Sequence, residues 1–253
     1  TPEFSTEGHL IGVTNKAGGK WTYEKFKGKV GDSDIAGSLV YESKQPRPLL
    51  SGTVVSNLLQ LSDLGPVIGA DSNESKKERG VAPNQPADKV LPVEKFTTER
   101  WGSIDADVQI TGHKIVHSAS LPIENLDTHL KMQDSVVTLS PLKFGVAGGT
   151  MIGDIKLDGR NNIIKAEAKV SARHLKLKQL FPTFQPMQAS FGEVNGDTSL
   201  SGTGNSIASL LATSNGEIKS LINEGTISKL LLEQIGLNIG NIVISKLFGD
   251  KQV

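Results

Sequence analysis

Short runs of alternating apolar and polar residues make up most of this chain. In the run SIDADVQI, Ile104, Val108 and Ile110 fall on one side, whereas Asp107 and Gln109 fall on the other. A period of two residues indicates a β-strand with one buried face. Similar runs follow one another with no helical pattern between them, which favours an antiparallel sheet over alternating strands and helices. We therefore predict a mainly β, α+β fold.

The apolar period lengthens beyond Gly204. Three sets of residues show the i, i+3, i+4 spacing of an amphipathic helix: Ile207, Leu210 and Leu211; Ile218, Leu221 and Ile222; and Ile227, Leu230 and Leu231. Glycines divide this region, so we predict short helices near the C-terminus, with Asn205 or Ser206 as the first N-cap.

An internal repeat organises the strands. The segment that begins at Phe26 aligns without a gap with the segment that begins at Leu142, so that Gly37 matches Gly153. Each copy reads as strand, tight turn, strand, turn and strand, followed by an apolar turn that ends in proline. The glycine-rich run KFGVAGGTMIGDIKLDGR is therefore explained by hairpin turns, and it needs no bound phosphate.

Composition divides the chain further. Residues 70–92 are charged, contain three prolines and have almost no bulky apolar side chain, so we predict a flexible linker or loop there. It separates an N-terminal β module, 1–69, from a second, repeat-related β module, 93–204. The remaining residues, 205–253, form the predicted helical segment, which we expect to be truncated at its C-terminus.

The overall charge and residue usage exclude several functions. Lys and Arg number 27, as do Asp and Glu, and aromatic residues make up 5%, so we expect no nucleic-acid partner. The chain has no cysteine, which excludes disulfides and thiolate metal sites. It also has no apolar run of about 18 residues, so we expect no bilayer-spanning segment within it.

Two motifs suggest chemistry, but neither is complete. GDSD, at 31–34, resembles the nucleophile block of GDSL-type hydrolases, yet Asp34 stands where leucine belongs and the required downstream D-x-x-H is missing. His113 and His117 share a strand face, and His129 lies in a later strand, without a converging third ligand. We therefore predict a non-enzymatic protein with no catalytic residue, metal or cofactor.

The run GKVGDSDIAGSLVYESKQPRPLLSGTVVSNLLQLSDLGPVIG is similar to a pattern of the AsmA family. That pattern is G-x-x-G-x-S-x-x-x-G, then Arg-Pro-Leu, then S-x-x-L-x-x-x-D-L. The matching positions are Gly28, Gly31, Ser33, Gly37, Arg47, Pro48, Leu49, Ser56, Leu59, Asp63 and Leu64. LSPLKFGVAGGTMIGDIKLDGR and GTGNSIASLLATSNGEIKSLINEGTIS resemble the C-terminal region of the same family.

This resemblance implies a bacterial envelope protein, held in the inner membrane, with a periplasmic body related to bridge-like lipid-transfer proteins. In such a body, a curved antiparallel sheet built from repeated hairpin modules forms a groove for phospholipid acyl chains. Family members usually begin with a membrane anchor and continue with further strands, and we expect the full-length protein to be anchored in the membrane. The residues that we expect to contact lipid are Ile104, Val108, Ile110, Leu126, Leu130, Met132, Val137, Leu139, Phe144 and Val146.

Three hypotheses follow from the sequence. In the first, the protein moves or holds phospholipids for outer-membrane homeostasis, with a possible envelope protein as a further partner. In the second, it is a scaffold that assists outer-membrane protein assembly by adding strands at its sheet edges. The third, a lipid hydrolase, depends on GDSD alone. The pattern leaves open whether lipid or protein covers the apolar face.

Overall fold

The computed structural model describes most of the chain: residues 3–15, 18–60, 63, 93, 95–96, 98, 101–116, 123–180 and 191–226. The predicted linker, 70–92, and the last predicted helical residues, 227–253, lie outside the described residues. So do Leu64 and His117.

The described strands form one eleven-stranded sheet in which spatial order follows chain order. The strands are β1 (Phe4–Asn15), β2 (Gly18–Val30), β3 (Ser33–Glu42), β4 (Leu49–Gln60), β5 (Asp105–Val116), β6 (Ile123–Gln133), β7 (Val136–Val146), β8 (Gly149–Asp158), β9 (Ile164–Lys176), β10 (Phe191–Gly204) and β11 (Asn215–Thr226). Two short helices, α1 (Leu177–Leu180) and α2 (Ile207–Ala212), flank β10 in sequence. The sheet is curved and its edges do not meet, so the predicted mainly β fold is confirmed.

The pairing of β4 with β5 is parallel, whereas the other described pairs are antiparallel. Leu49 lies beside Asp105 and Gln60 beside Val116, so both strands start at the same end of the sheet. Residues 61–104 must therefore return the chain along the whole length of a strand, which a hairpin turn cannot do. The predicted antiparallel sheet is therefore confirmed, with β4–β5 as its one parallel pair among the described strands.

Arg47 holds the start of the parallel seam in place. Its Nε lies 2.9 Å from Asp105 Oδ1, and its Nη1 lies 3.1 Å from Asp134 Oδ1 in the β6–β7 turn. The backbone N–H of Asp105 also donates to the carbonyl of Pro48 at 2.8 Å. Partial burial raises the pKa of Asp105, but the hydrogen bonds from Arg47 and from the backbone N–H of Asp134, together with the charge of Arg47, outweigh it, and the net shift is downward. The Arg-Pro-Leu motif thus fixes where β5 joins β4.

The two repeat copies have the same strand register. Gly37 pairs with Val54 across β3 and β4, and their repeat equivalents, Gly153 and Val170, pair across β8 and β9. In both copies the glycine has no room for a side chain. A Cβ on Gly153 would lie 2.3 Å from the carbonyl oxygen of Lys169. The matched glycines therefore permit close approach of two strands.

The GDSD motif forms the turn between β2 and β3, and the carboxylate of Asp63 holds this turn through hydrogen bonds. Gly31 has a φ of 60°, and a Cβ there would lie 2.3 Å from Asp63 Oδ1. Asp63 Oδ2 accepts hydrogen bonds from the backbone N–H of Asp32 at 3.1 Å and of Ser33 at 3.0 Å, and from the Ser33 hydroxyl at 2.6 Å. The Ser33 hydroxyl in turn accepts from the backbone N–H of Gln60 at 2.9 Å. These contacts fasten the β2–β3 turn to the end of β4.

A second carboxylate, Asp34, ties β3 to the same part of β4. It accepts backbone hydrogen bonds from Leu58 at 2.6 Å and Asn57 at 3.1 Å, together with side-chain bonds from Asn57 and Ser56. Partial burial raises the pKa of Asp34, but the combined hydrogen bonds outweigh that effect and lower it.

The region after Gly204 differs from its prediction. Ser206 does cap α2, where its hydroxyl accepts from the backbone N–H of Ser209 at 3.1 Å. Residues 215–226 were predicted to be helical and instead form β11, which pairs with β10 from Ser201–Asn215 onwards. Short isolated helices are marginal, whereas pairing with β10 provides backbone hydrogen bonds along the strand. The helical spacing of Ile218 and its neighbours was therefore overridden by a non-local contact.

We expect Asp63→Ala to destabilise the fold. The change removes three hydrogen bonds to a charged acceptor and leaves the buried Ser33 hydroxyl without its acceptor. The expected loss is about 1–3 kcal/mol in the free energy of unfolding, measured by urea denaturation. Gln179→Ala, at the equivalent position of the second copy, is the control and should cost less because it removes no charge. An Asp63→Ala protein as stable as the wild type would show that the hydrogen bonds of Asp63 to the β2–β3 turn do not stabilise the fold.

We also expect Asp34 to contribute stability that depends on pH. Because the folded-state pKa lies below the ordinary value of 3.8, the contribution is present above that pH and is lost as the pH falls through the folded-state pKa. Asp34→Asn should therefore lower the melting temperature at neutral pH, and the difference from wild type should shrink below about pH 4. Asp32→Asn, at an exposed position, should show no such convergence. A constant difference at all pH values would refute this role.

Candidate functional site

The strand register aligns apolar residues in a row that crosses the whole sheet. Each member is the direct cross-strand partner of the next, from one edge strand to the other. This middle row consists of Leu10, Tyr23, Leu39, Gly52, Val108, Leu130, Leu139, Ile155, Ala168, Leu200 and Gly216. Its one polar side-chain atom, the Tyr23 hydroxyl, donates to Thr6 Oγ1 at 3.0 Å. An apolar stripe therefore runs perpendicular to the strands.

Two further rows lie on either side of the middle row, on the same face. One consists of Gly12, Trp21, Tyr41, Leu50, Ala106, Met132, Val137, Leu157, Ala166 and Gly202. The other consists of Phe26, Gly37, Val54, Ile110, Thr128, Leu142, Gly153, Val170, Thr198 and Ile218. We call these three rows together the apolar face. None of them contains a charged residue.

The opposite face of the same strands is polar. From β4 to β11, the row between the middle row and its first neighbour consists of Ser51, Asp107, Lys131, Thr138, Lys156, Glu167, Ser201 and Asn215. On β3, β2 and β1 the same row continues through Val40, Thr22 and Ile11, so its polar character begins at β4. Asp107 of this row also contacts the neighbouring polar row, where His129 Nε2 lies 2.7 Å from Asp107 Oδ1. The sheet thus has one face suited to water and one suited to hydrocarbon.

Most side chains of the apolar face are only partly buried. Leu10 and Ile218, at the two edges, are each 65% exposed, whereas Val108 near the centre is 4% exposed. Among the described elements, close contacts join neighbouring strands, and the helices contact β9 and β10. A packed core would instead have a second layer against this face. The described part of the chain therefore presents an apolar surface without a protein layer over it.

The dimensions of this surface follow from sheet geometry. Eleven strands spaced about 4.8 Å apart give a length of about 48 Å across the sheet. The outer rows are four residues apart along the regular strands, such as Ala106 to Ile110 on β5, which corresponds to about 13 Å. A surface of this size is longer than one extended acyl chain and wide enough for more than one chain side by side.

A packed core closes one end of the strands. Val146, Ala147 and Leu175 are buried there, and Phe144 and Leu180 of α1 pack against them. This core is small, and it lies at the strand ends near the β7–β8 turn.

The structure separates the ten predicted lipid-contact residues into three groups. Seven lie on β5, β6 and β7 on the side that forms the apolar face: Val108, Ile110, Leu126, Leu130, Met132, Val137 and Leu139. Ile104 is half-buried just before β5. Val146 lies in the packed core and Phe144 packs against it, so both of these side chains contact protein. Among these seven residues, Val108 is buried, so its side chain packs against protein.

The prediction missed the parts of the apolar face on the other strands. Leu39 and Leu50 in the first module, and Ile155 and Leu200 in the second, continue the rows. Their two-residue alternation was visible in the sequence, but their alignment with Leu130 depends on the register of the whole sheet.

The motifs considered for catalysis have structural roles or lack partners. Ser33 is 1% exposed, and its hydroxyl bonds to Asp63 and to the backbone of Gln60. Within the described residues, no three histidine or acidic side chains group closely enough to hold a metal ion. Nor does any helix in the described ranges have the length and apolar composition to cross a bilayer.

Comparison with known proteins places the chain in a family. The model of the AsmA family matches residues 1–253. The AsmA family protein YhjG of Escherichia coli (strain K12) is 45% identical over 261 residues, an alignment that covers 100% of this chain and 38% of the relative. No solved structure matches the chain. The contacts of Arg47 at the start of β5 and of Asp63 with the β2–β3 turn give structural roles to two motifs of the family pattern. Because the family model matches the whole sequence, this chain belongs to the AsmA family.

Proposed function

We propose that this chain is part of a periplasmic, inner-membrane-tethered protein that moves or holds phospholipid acyl chains for outer-membrane homeostasis. Family membership supports an envelope-related role. The observation that carries the proposal is the apolar face, which crosses the sheet from β1 to β11 without a charged residue.

The physical basis is the hydrophobic effect. Placing a lipid chain on this face removes hydrocarbon from water on both partners, with a gain of about 0.8 kcal/mol for each buried CH₂ group. Most side chains of the face are partly exposed, and it has no repeated polar group that would fix one position. It therefore suits chains of different lengths and allows them to slide. The charged opposite face keeps the sheet hydrated.

The role that we propose is non-catalytic. Ser33, the residue expected of a hydrolase nucleophile, is buried and already engaged by Asp63 and Gln60. His129 Nε2 bonds to Asp107 and His174 Nδ1 bonds to Glu193, whereas the Ser33 hydroxyl bonds to Asp63 and Gln60, so neither of these two histidines is bonded to Ser33 as a general base would be.

A second candidate function is a scaffold for outer-membrane protein assembly. Its support is the pair of outermost strands, β1 and β11, which end the described sheet. Leu10 and Val13 on β1 are 65% and 61% exposed, and an incoming strand could pair with that edge by β-augmentation.

Mass spectrometry of organic extracts and of the purified chain distinguishes the two functions. Lipid binding predicts co-purified phospholipid in molar amounts, whereas the scaffold predicts bound outer-membrane polypeptide without it. A chain that carries neither, and does not take up phospholipid from vesicles, would refute the lipid proposal.

A charge on the apolar face should exclude lipid without unfolding the protein. Leu139→Asp places a carboxylate at a half-exposed position of β7, where it can stay hydrated. We expect a folded protein with several-fold less extracted phospholipid per mole. Thr138→Asp is the matched control, because the adjacent side chain lies on the polar face and is also half-exposed. If both variants retain wild-type lipid, the apolar face is not the binding surface.

A charge at Val108 should have a different effect. Val108 is 4% exposed, so Val108→Asp buries a carboxylate at a cost of several kcal/mol. We expect this variant to unfold or to melt well below Leu139→Asp, as measured by circular dichroism. Gln109→Asp, on the other face of β5, is the control and should melt close to wild type. A stable Val108→Asp protein would show that the centre of the face is open to water.

A further inference from the structure

One polar side chain lies on the floor of the apolar face without a hydrogen-bond partner. Thr128 on β6 is 4% exposed, and its Oγ1 is buried and makes no hydrogen bond. Its cross-strand partners are Ile110 on β5 and Leu142 on β7. Thr128 keeps the two-residue alternation of Leu130 and Met132, so its side chain is on the apolar face.

Packing does not account for this hydroxyl. A buried hydroxyl without a partner is unfavourable, and buried polar groups in proteins are nearly always bonded. Valine has the same shape, favours strands as strongly and would fill the position without that cost. The position therefore carries a polar atom that the protein itself does not use.

The backbone next to Thr128 contains one of the register shifts of this sheet. The register between β6 and β7 shifts between Thr128 and Leu130, because β7 has an extra residue between Leu139 and Leu142. Bulges of this kind direct side chains at binding sites. Beyond Leu142, the next position in the row is Gly153, which presents no side chain.

The surroundings decide which lipid atom could reach this hydroxyl. The apolar face has no lysine or arginine, so a charged phosphate placed there would be unpaired and desolvated. The ester carbonyl is a neutral acceptor attached directly to the acyl chain, and it can enter an apolar floor if a donor meets it.

We propose that Thr128 donates a hydrogen bond to the ester carbonyl of a bound diacyl lipid. This inference rests on the proposed lipid-binding function and adds a point of selectivity to it. Ile110, Leu130 and Leu142, which are half-buried around Thr128, move aside as the chain enters. Thr128 thereby distinguishes acyl-ester lipids from lipids whose chains lack a carbonyl.

The test compares two phosphatidylethanolamines of equal chain length, one with ester-linked and one with ether-linked chains. Binding of each to the full chain is measured by transfer from vesicles. Wild type should bind the ester lipid about 3- to 10-fold more tightly, the fold-change that corresponds to one neutral hydrogen bond. Thr128→Val should bind both lipids equally, whereas Thr128→Ser should keep the preference. Thr138→Val, on the polar face, should also keep it.

Other results overturn the inference in distinguishable ways. Equal binding of both lipids by wild type, or a preference that persists in Thr128→Val, refutes the role of Thr128 and leaves lipid binding intact. Binding of neither lipid refutes both proposals. The melting temperature of Thr128→Val gives a separate reading, because removing an unpaired hydroxyl should leave it unchanged or raise it. A clear fall would assign Thr128 a structural role instead.

Discussion

Cross-strand register is the constraint on which this structure depends. Side chains alternate between the faces of a strand, so a slip of one residue at any pairing would move apolar residues to the polar face. The apolar face exists because register is kept from β1 to β11. Arg47 sets it at the parallel seam, and Asp63 sets it at the β2–β3 turn.

β-Bulges preserve this alignment where one strand carries an extra residue relative to its neighbour. In β2, Lys25 has a φ of 50°, and the register with β3 shifts between Tyr23 and Phe26. The shift keeps Phe26 on the same face as Tyr23, although the two are three residues apart. The extra residue in β7 does the same for Leu139 and Leu142. Bulges therefore both bend the sheet and correct its alternation.

The open apolar face connects the fold to the proposed function. A sheet with this pattern would ordinarily pack against a second layer, whereas the described elements form one sheet with a small packed core around Val146 and Leu175 at one end of its strands. The face is therefore available to a ligand with little polarity. The three rows of the apolar face contain no charged residue, and the proposed lipid binding rests on this feature. Thr128 is the exception that gives such a face chemical selectivity.

Sequence alone determined most of the strands, their apolar sides, the repeat with matched Gly37 and Gly153, and a helix N-cap at Asn205 or Ser206, because these depend on local periodicity and turn chemistry. It also carried the family resemblance. Only the tertiary structure decided that β5 pairs parallel with β4, that residues 215–226 join the sheet, and that Phe144 packs in a core while Leu139 stays on the open face. Each of these outcomes depends on which distant strand lies alongside, and alternation within one strand carries no information about its neighbour.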